Sequence, residues 1–253
     1  MPYHPVMSVR GKKMVDLHMH ILPGLDDGAS SMEESIRMAR QAAAGGVNYI
    51  AASSHGNYYD YTVQEYVRKF RLLQKELDRQ QIPVKIFPSM EIFMNERAMQ
   101  LIRDRELLFI NHTRYLMIEF DFQESPERVC RMVADLQQMK YNIILAHPER
   151  YTFIQEDPEL AYYLAERGCV LQVNKGSVLG EFGKKCREMA IRMMDDWIVQ
   201  VIASDAHDSL HRTPQMDELI HYLEQRYTSM EIKMWLSENP SRILKGNPTI
   251  RLR

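Results

Sequence analysis

The sequence predicts an α/β fold, a single barrel of about seven strand–helix units. Two observations carry this. Short, near-continuously apolar runs rich in Val and Ile recur with helical stretches between them, the pattern of parallel strands covered on both faces. Seven such runs lie in the 231 residues from Met14 to Leu244, 33 per unit, which is the size of one strand–helix repeat. No linker, low-complexity tract or Pro/Gly-rich break interrupts the alternation. One domain over 14–253 is therefore preferred to two, with residues 1–13 as a loosely tied extension. An open doubly wound sheet stays the alternative, because periodicity does not report closure.

In chain order, the first strand is Val15–His18. Ser30 and Ser31 each have a Glu three residues on (Glu33, Glu34), the capping-box spacing that opens a helix. Gly45-Gly46 ends that helix before the strand Val47–Ser53, supplying the left-handed residue that the stop requires. Thr62 with Glu65 opens the next helix, which leads to Val84–Met90. After Tyr115–Phe120, Ser125-Pro126 places an oxygen at the N-cap and Pro at the first helical position, ahead of Asn142–His147. Asp157-Pro158 does the same for a helix that Gly168 ends, and Cys169–Val173 and Ile198–Ser204 complete the set.

Composition excludes several classes. With 32 Lys+Arg against 34 Asp+Glu there is no bulk attraction to nucleic acid or anionic membrane. No apolar run approaches the ~20 residues that span a bilayer. The segment MPYHPVMSVRGKKM lacks the apolar centre of a secretory signal, and three widely spaced cysteines form no disulfide framework, so a soluble, reduced, cytoplasmic enzyme is expected.

Of nine histidines, five (His18, His20, His55, His147, His207) lie at or near the carboxyl end of an expected strand. Asp16, Asp27, Glu91, Glu119 and Asp205 share those positions. In α/β barrels these ends converge on the face where active sites are built. His18-x-His20 puts two imidazoles on one side of an extended backbone, and Asp205-x-His207 repeats the spacing with mixed ligands. Asp26-Asp27-Gly28 taken alone reads as a turn, whereas Glu91 and Glu119 are carboxylates in apolar strand contexts that need a partner. A set of imidazoles and carboxylates without cysteine disfavours a structural zinc site and suits Mn²⁺, Fe²⁺, Zn²⁺ or Co²⁺. The set exceeds what one ion can take; two or three ions sharing carboxylates fit it, an arrangement that clamps the oxygens of displacement at phosphorus. Arg150, leaving the strand end that delivers His147, and Arg212 are candidate phosphate ligands. Cys186 and Arg192 match C-x5-R, but Arg-Glu-Met-Ala-Ile between them is helical and lacks the glycines of a phosphate-wrapping loop, so the match is accidental.

The series DLHMH, DDG, SSH, MEIF, IEF, AHPER and ASDAH, from Met14 to Asn239–Leu244, resembles the polymerase and histidinol phosphatase (PHP) family. HILPGLDDG followed by HPERY is similar to its bacterial branch of manganese-dependent protein tyrosine phosphatases linked to capsule and exopolysaccharide synthesis. The resemblance implies a distorted (β/α)7 TIM-like barrel and three Mn²⁺ ions at the carboxyl ends of its strands. It implies His18, His20, Asp205 and bridging Glu91 on one ion, Glu91, Glu119 and His147 on a second, and Asp27, His55 and His207 on a third. Arg150 and Arg212 would contact phosphate, and the substrate would be the phosphotyrosine-bearing tail of a bacterial tyrosine kinase that regulates polysaccharide export. The loop Gly56–Tyr61 is more aromatic than this branch leads one to expect, and its tyrosines could line a phosphotyrosine slot.

The expected activity is therefore phosphotyrosine hydrolysis by metal-activated hydroxide, without a phosphoenzyme. His207 and Asp205 are candidates for proton transfer, although a ligated residue is a poor free base. The alternatives are a small-molecule phosphomonoesterase of the histidinol phosphate kind and a non-catalytic phosphotyrosine-binding regulator. An amidohydrolase reading ranks lower, since no lysine is expected at a strand end. The sequence leaves self-association into a homo-oligomer open.

Overall fold

The computed structural model describes residues 13–251; apart from Lys13, the expected extension 1–13 lies outside them. Among the described residues, eight strands form two parallel sheets. The first holds β1 (Met14–Met19), β2 (Val47–Ala52) and β3 (Lys85–Pro88) in that order. The second holds β4 (Glu91–Phe93), β5 (Tyr115–Glu119), β6 (Asn142–Ala146), β7 (Val170–Asn174) and β8 (Val199–Ala203).

Six of the seven expected strands lie within one residue of their expected bounds. The remaining one, Val84–Met90, is shorter than expected and is followed by a separate strand. Pro88 has no N–H for a ladder, and the Ser89 N–H donates to the Tyr66 hydroxyl at 3.0 Å. The chain leaves the first sheet there, and Glu91, expected to follow a strand, instead opens β4.

The two sheets touch at both edges. On one side His55 bridges Glu91, with Gly56 N–H donating to the Glu91 carbonyl at 2.8 Å. On the other, Asp205 N–H donates to the His18 carbonyl at 2.8 Å and His20 N–H to Ala206 at 2.9 Å. The buried Asp16 carboxylate reinforces this seam, its Oδ1 accepting from His18 N–H at 3.2 Å and Ser204 N–H at 3.1 Å.

Helices cover the sheets: α1 (Met32–Ala44), α2 (Val63–Arg79), α3 (Glu96–Arg103), α4 (Pro126–Gln138), α5 (Thr152–Glu156), α6 (Glu159–Glu166), α7 (Lys175–Leu179), α8 (Lys184–Asp195), α9 (Asp217–Glu224), α10 (Ser229–Lys233) and α11 (Asn239–Leu244). Ser31, Thr62 and Ser125 cap α1, α2 and α4 as their spacing requires. Ser30 does not take the role its spacing also allowed. Asp157 lies one residue outside the cap of α6 but still accepts from Glu159 N–H at 3.2 Å. Gly46 and Gly168 take the left-handed conformation, φ +87° and +93°. Cys186 is an ordinary residue of α8, and Arg192 on the same helix pairs with Glu159 at 3.8 Å.

Buried apolar residues form a large core between helices and sheets and a smaller one holding Val15, Leu17, Ala51, Met117, Ile144 and Val201. A register shift between Asp16 and Met19 breaks the alternation of β1. Leu17 packs in the small core and Met19 in the large one. No helix among the described residues is long and apolar enough to cross a membrane, and the three cysteines are unpaired.

Candidate metal centre

All nine histidine and carboxylate ligands expected from the sequence meet where strand ends converge. His18, within the register shift of β1, and His20, just past its end, bring their Nε2 atoms 3.2 Å apart. Glu91 Oε2 lies 3.1 Å from the first and 3.2 Å from the second, and Asp205 Oδ1 lies 3.3 and 3.6 Å from them. Asp27 Oδ1 is 3.5 Å from His55 Nε2 and 3.6 Å from His207 Nε2. Glu119 Oε1 is 3.1 Å from His55 Nδ1. His147 Nε2 is 3.0 Å from Glu91 Oε1 and 3.7 Å from Glu119 Oε2.

Three groups of ligand atoms come close enough to share a cation: His18, His20 and Asp205; His20, Asp27, His55 and His207; and His55, Glu91 and Glu119. These overlap the three sets implied by the family resemblance, differing in that Glu91 belongs to one group instead of bridging two, His20 and His55 each belong to two, and His147 stands just outside them.

Backbone conformation aims two of the ligands. His147 and Asp205, each directly after or one residue beyond a strand, are left-handed at φ +36° and +51°. Such positions cost on the order of 1–3 kcal/mol for a side-chain-bearing residue. Here His147 N–H is anchored on the Gln172 carbonyl at 2.8 Å and Asp205 N–H on His18.

A layer of polar residues behind the ligands was missed by the sequence reading. Gln172 Oε1 accepts from His18 Nδ1 at 2.8 Å, and Asp26 Oδ2 from His20 Nδ1 at 2.9 Å. Asn174 Nδ2 donates to Asp205 Oδ2 at 2.5 Å, and Asn174 Oδ1 accepts from Gln172 Nε2 at 2.8 Å. Gln172-x-Asn174 repeats the two-residue spacing of His18-x-His20 within an otherwise apolar strand, which was the available signal. Asp26, read as part of a turn, also accepts from His55 N–H at 2.9 Å and Gly28 N–H at 3.1 Å.

Electrostatics follow from this packing. Burial alone would push the His18 imidazole down, but Glu91 and Asp205 outweigh it and hold the pKa up to about 9. His20 and His55 are also raised against burial, by Asp26 and Glu91 and by Glu119 and Glu91 respectively. Glu91 and Asp205 stay well below the usual carboxylate range despite burial, chiefly through His18. His207 is pushed down to about 3 by burial and by His20. Its Nδ1 lies 3.0 Å from the Asp205 carbonyl, so the neutral ring presents its Nε2 lone pair toward Asp27.

The residues fit divalent cations. Acceptors behind His18 and His20 claim the Nδ1 protons, so in the neutral rings that ligate a metal both Nε2 atoms turn lone pairs toward one another across 3.2 Å. That geometry, with Glu91 and Asp205 on the same spot, needs positive charge between the rings. All-N/O donors of this kind suit Mn²⁺, Fe²⁺, Co²⁺ or Zn²⁺.

Both candidate arginines reach the rim. Arg212 Nη2 bonds Asp205 Oδ2 at 2.6 Å, and Arg150 Nη1 is 3.5 Å from the same atom. Arg150 lies between the rings of Phe122 and Phe182, 4.5 Å from each centroid. Next to the ligands a cavity of about 220 Å³ is walled by Tyr58, Tyr59, Phe93 and Phe122. The expectation that no lysine stands at a strand end is corrected: Lys175 follows β7 directly. Its Nζ donates instead to the carbonyls of Thr213 at 2.5 Å and Gln215 at 3.2 Å, and joins none of the three groups.

A family model for capsular polysaccharide synthesis, CpsB/CapC, matches residues 14–245. The tyrosine-protein phosphatase YwqE of Bacillus subtilis is 35% identical over 94% of each chain. The tyrosine-protein phosphatase CpsB of Streptococcus pneumoniae is 26% identical over 91% of this chain and 98% of its own. A solved chain from work on YwqE and CpsB, described as unique metal-dependent tyrosine phosphatases, superposes with a TM-score of 0.87 at 34% identity, covering 94% of this chain and 97% of that one.

Proposed function

The chain belongs to the CpsB/CapC family of capsular polysaccharide synthesis, and from that premise we propose the following account of its chemistry. It is a metal-dependent protein-tyrosine phosphatase. The observation that carries this is the convergence of nine imidazole and carboxylate side chains, eight of them in groups able to share a cation and His147 at their edge, beside two arginines and an aromatic-walled cavity.

His18, His20, Asp27, His55, Glu91, Glu119, His147, Asp205 and His207 would hold the cations, three Mn²⁺ in our reading. Bound there, the ions would lower the pKa of water and offset charge on the phosphoryl oxygens. Arg150 and Arg212 bind those oxygens. The rings beside Arg150 hold its guanidinium in place, so little side-chain freedom is lost when phosphate arrives. Tyr58, Tyr59, Phe93 and Phe122 take the phenyl ring of the substrate.

Asp205 has one oxygen among the histidines and the other on Arg212 and Asn174. His207 has Nδ1 on a carbonyl and Nε2 at Asp27. Both act as ligands, not as free acids. With both of these held as ligands, an aryl ester is the favoured substrate: tyrosine leaves as a phenolate of pKa about 10, far easier to expel than an alkoxide.

The two sheets, joined at both edges, read as a distorted barrel of seven staves with β3 and β4 sharing one. The substrate is the phosphotyrosine-bearing tail of a cytoplasmic tyrosine kinase regulating polysaccharide export. Hydrolysis of a phosphotyrosyl peptide with Mn²⁺, abolished by chelator and restored by metal, tests the reading. Preference for histidinol phosphate by kcat/KM, or turnover unaffected by full metal removal, would overturn it.

A further inference from the structure

The cavity beside His55 does not end at the aromatic wall. Tyr58 and Tyr59 are shared with a larger cavity of about 680 Å³, bounded by the 56–62 loop, Met90 and α3. Val63 and Gln64 are shared in turn with a third, of about 500 Å³, along the outer face of α2. Through these shared walls the three follow one another as a trough from the candidate ligands Asp27, His55 and Glu119 to Lys75. From Val63 to Lys75 is about 18 Å of helix at 1.5 Å per residue, the length of five or six residues of extended chain.

The trough combines exposed apolar surface with unmatched positive charge. Leu72 is 45% exposed and Tyr58 65%. Arg68, Arg71 and Lys75 line it along α2, and Arg97 and Arg105 line it near α3, against the carboxylates Asp60 and Glu106. Arg68 is paired with Glu65 at 3.9 Å. The side chains of Arg71, Lys75, Arg97 and Arg105 make no ion pair or hydrogen bond among the described residues. Elsewhere on α2 basic groups are matched, Lys69 on the Gly24 carbonyl at 2.6 Å and Arg79 on Glu76. Unmatched cations flanking an apolar strip complement an anionic chain that also carries apolar side chains.

We propose that this trough is the docking surface for the substrate segment flanking the phosphotyrosine: an extended, acidic peptide, longer than the five or six residues that the α2 stretch alone takes, with apolar side chains among its carboxylates, lying to one side of the scissile residue. The proposal rests on the phosphotyrosine reading above and adds the chemistry that selects among phosphotyrosyl proteins. Rim charges of this kind act on capture more than on the chemical step, so the selection falls on KM.

Three phosphotyrosyl peptides of equal length decide it: Glu/Leu-rich before the phosphotyrosine, Glu/Leu-rich after it, and Gln/Leu-rich on both sides. They are compared on the wild-type enzyme and on an Arg71→Ala/Lys75→Ala variant, with p-nitrophenyl phosphate as a substrate that has no flank. One acidic peptide is expected to show a KM about tenfold below the neutral peptide, as two rim charge pairs allow. The variant should lose that advantage, and hydrolysis of p-nitrophenyl phosphate should be unchanged. Equal KM for all three peptides, or an advantage that survives in the variant, overturns the proposal. Fluorescence anisotropy of the same peptides in chelator reads docking without turnover. An enzyme inactive on every phosphotyrosyl substrate would sink the phosphatase reading, while acidic-peptide binding lost in the variant would still sustain the trough.

Discussion

A methyl group added at Gly28 would lie 2.2 Å from the His20 carbonyl oxygen and 2.4 Å from its Cβ. Gly28→Ala must therefore displace a ligand-bearing strand end, at a cost of about 1–3 kcal/mol as overpacking typically exacts. A lowered Tm, with Mn²⁺ raising it less than in wild type, is the expected result in thermal denaturation. Asp26→Asn keeps the shape but weakens the acceptor behind His20, and residues in that position typically control metal affinity by about 10–100-fold. Metal titration followed by elemental analysis should show the loss with the fold intact by circular dichroism. Arg150→Ala removes one charged contact to phosphate, so kcat/KM on a phosphotyrosyl peptide should fall about 10²-fold with metal content unchanged. The convergence of the candidate ligands was legible in the sequence because five imidazoles and several carboxylates were expected at strand ends, which meet on one face. Their supporters were not. Gln172 and Asn174 carry no signal beyond their two-residue spacing in an apolar strand, and nothing local separates Asp26, whose carboxylate is buried behind His20, from Asp27, which faces two other histidines.

Helix caps were readable for a related reason: the bond joins residues three apart, so the sequence contains both partners. Thr62 accepts from Glu65 N–H at 3.1 Å and starts α2 immediately after the aromatic loop. Thr62→Ala should cost about 1 kcal/mol, as loss of such a cap commonly does, seen as a shifted urea midpoint at unchanged slope. The break between β3 and β4 was not readable, because its cause is remote. The Tyr66 hydroxyl, 23 residues from Ser89, takes the N–H and itself donates to the Ala52 carbonyl at 2.6 Å. An apolar run tells that a strand is present; which neighbour it pairs with depends on groups brought in from other elements.

The molecule as a whole holds a dense knot of charge that protons must balance when no cation does. His18, raised from 6.5 to about 9, stabilises the metal-free fold fully below pH 6.5, and that contribution is lost as pH rises through about 9. Glu91 and Asp205, held low, contribute above the usual carboxylate range and lose that contribution on acidification. Chelated protein should therefore show a Tm that falls between pH 6.5 and 9. With Mn²⁺ bound the cation replaces the protons, so the fall should vanish. A parallel decline in both samples would mean that the imidazoles are not the groups responsible. That the strands lie parallel and face helices was legible from their spacing; that the outer strands meet was not, since hydrophobic period carries no information about edges.

The seam between β1 and β8 has a consequence in the making of the protein. Ser204 N–H reaches Asp16 across 188 positions of chain, and Asp205 and His207 arrive with it. A nascent polypeptide emerging from the ribosome thus possesses its first histidine pair long before it has the residues that complete their surroundings. Contacts of such sequence separation are slow to form, so truncated translation products should be unable to retain a divalent cation, and competence should appear only after nearly the entire chain has been released.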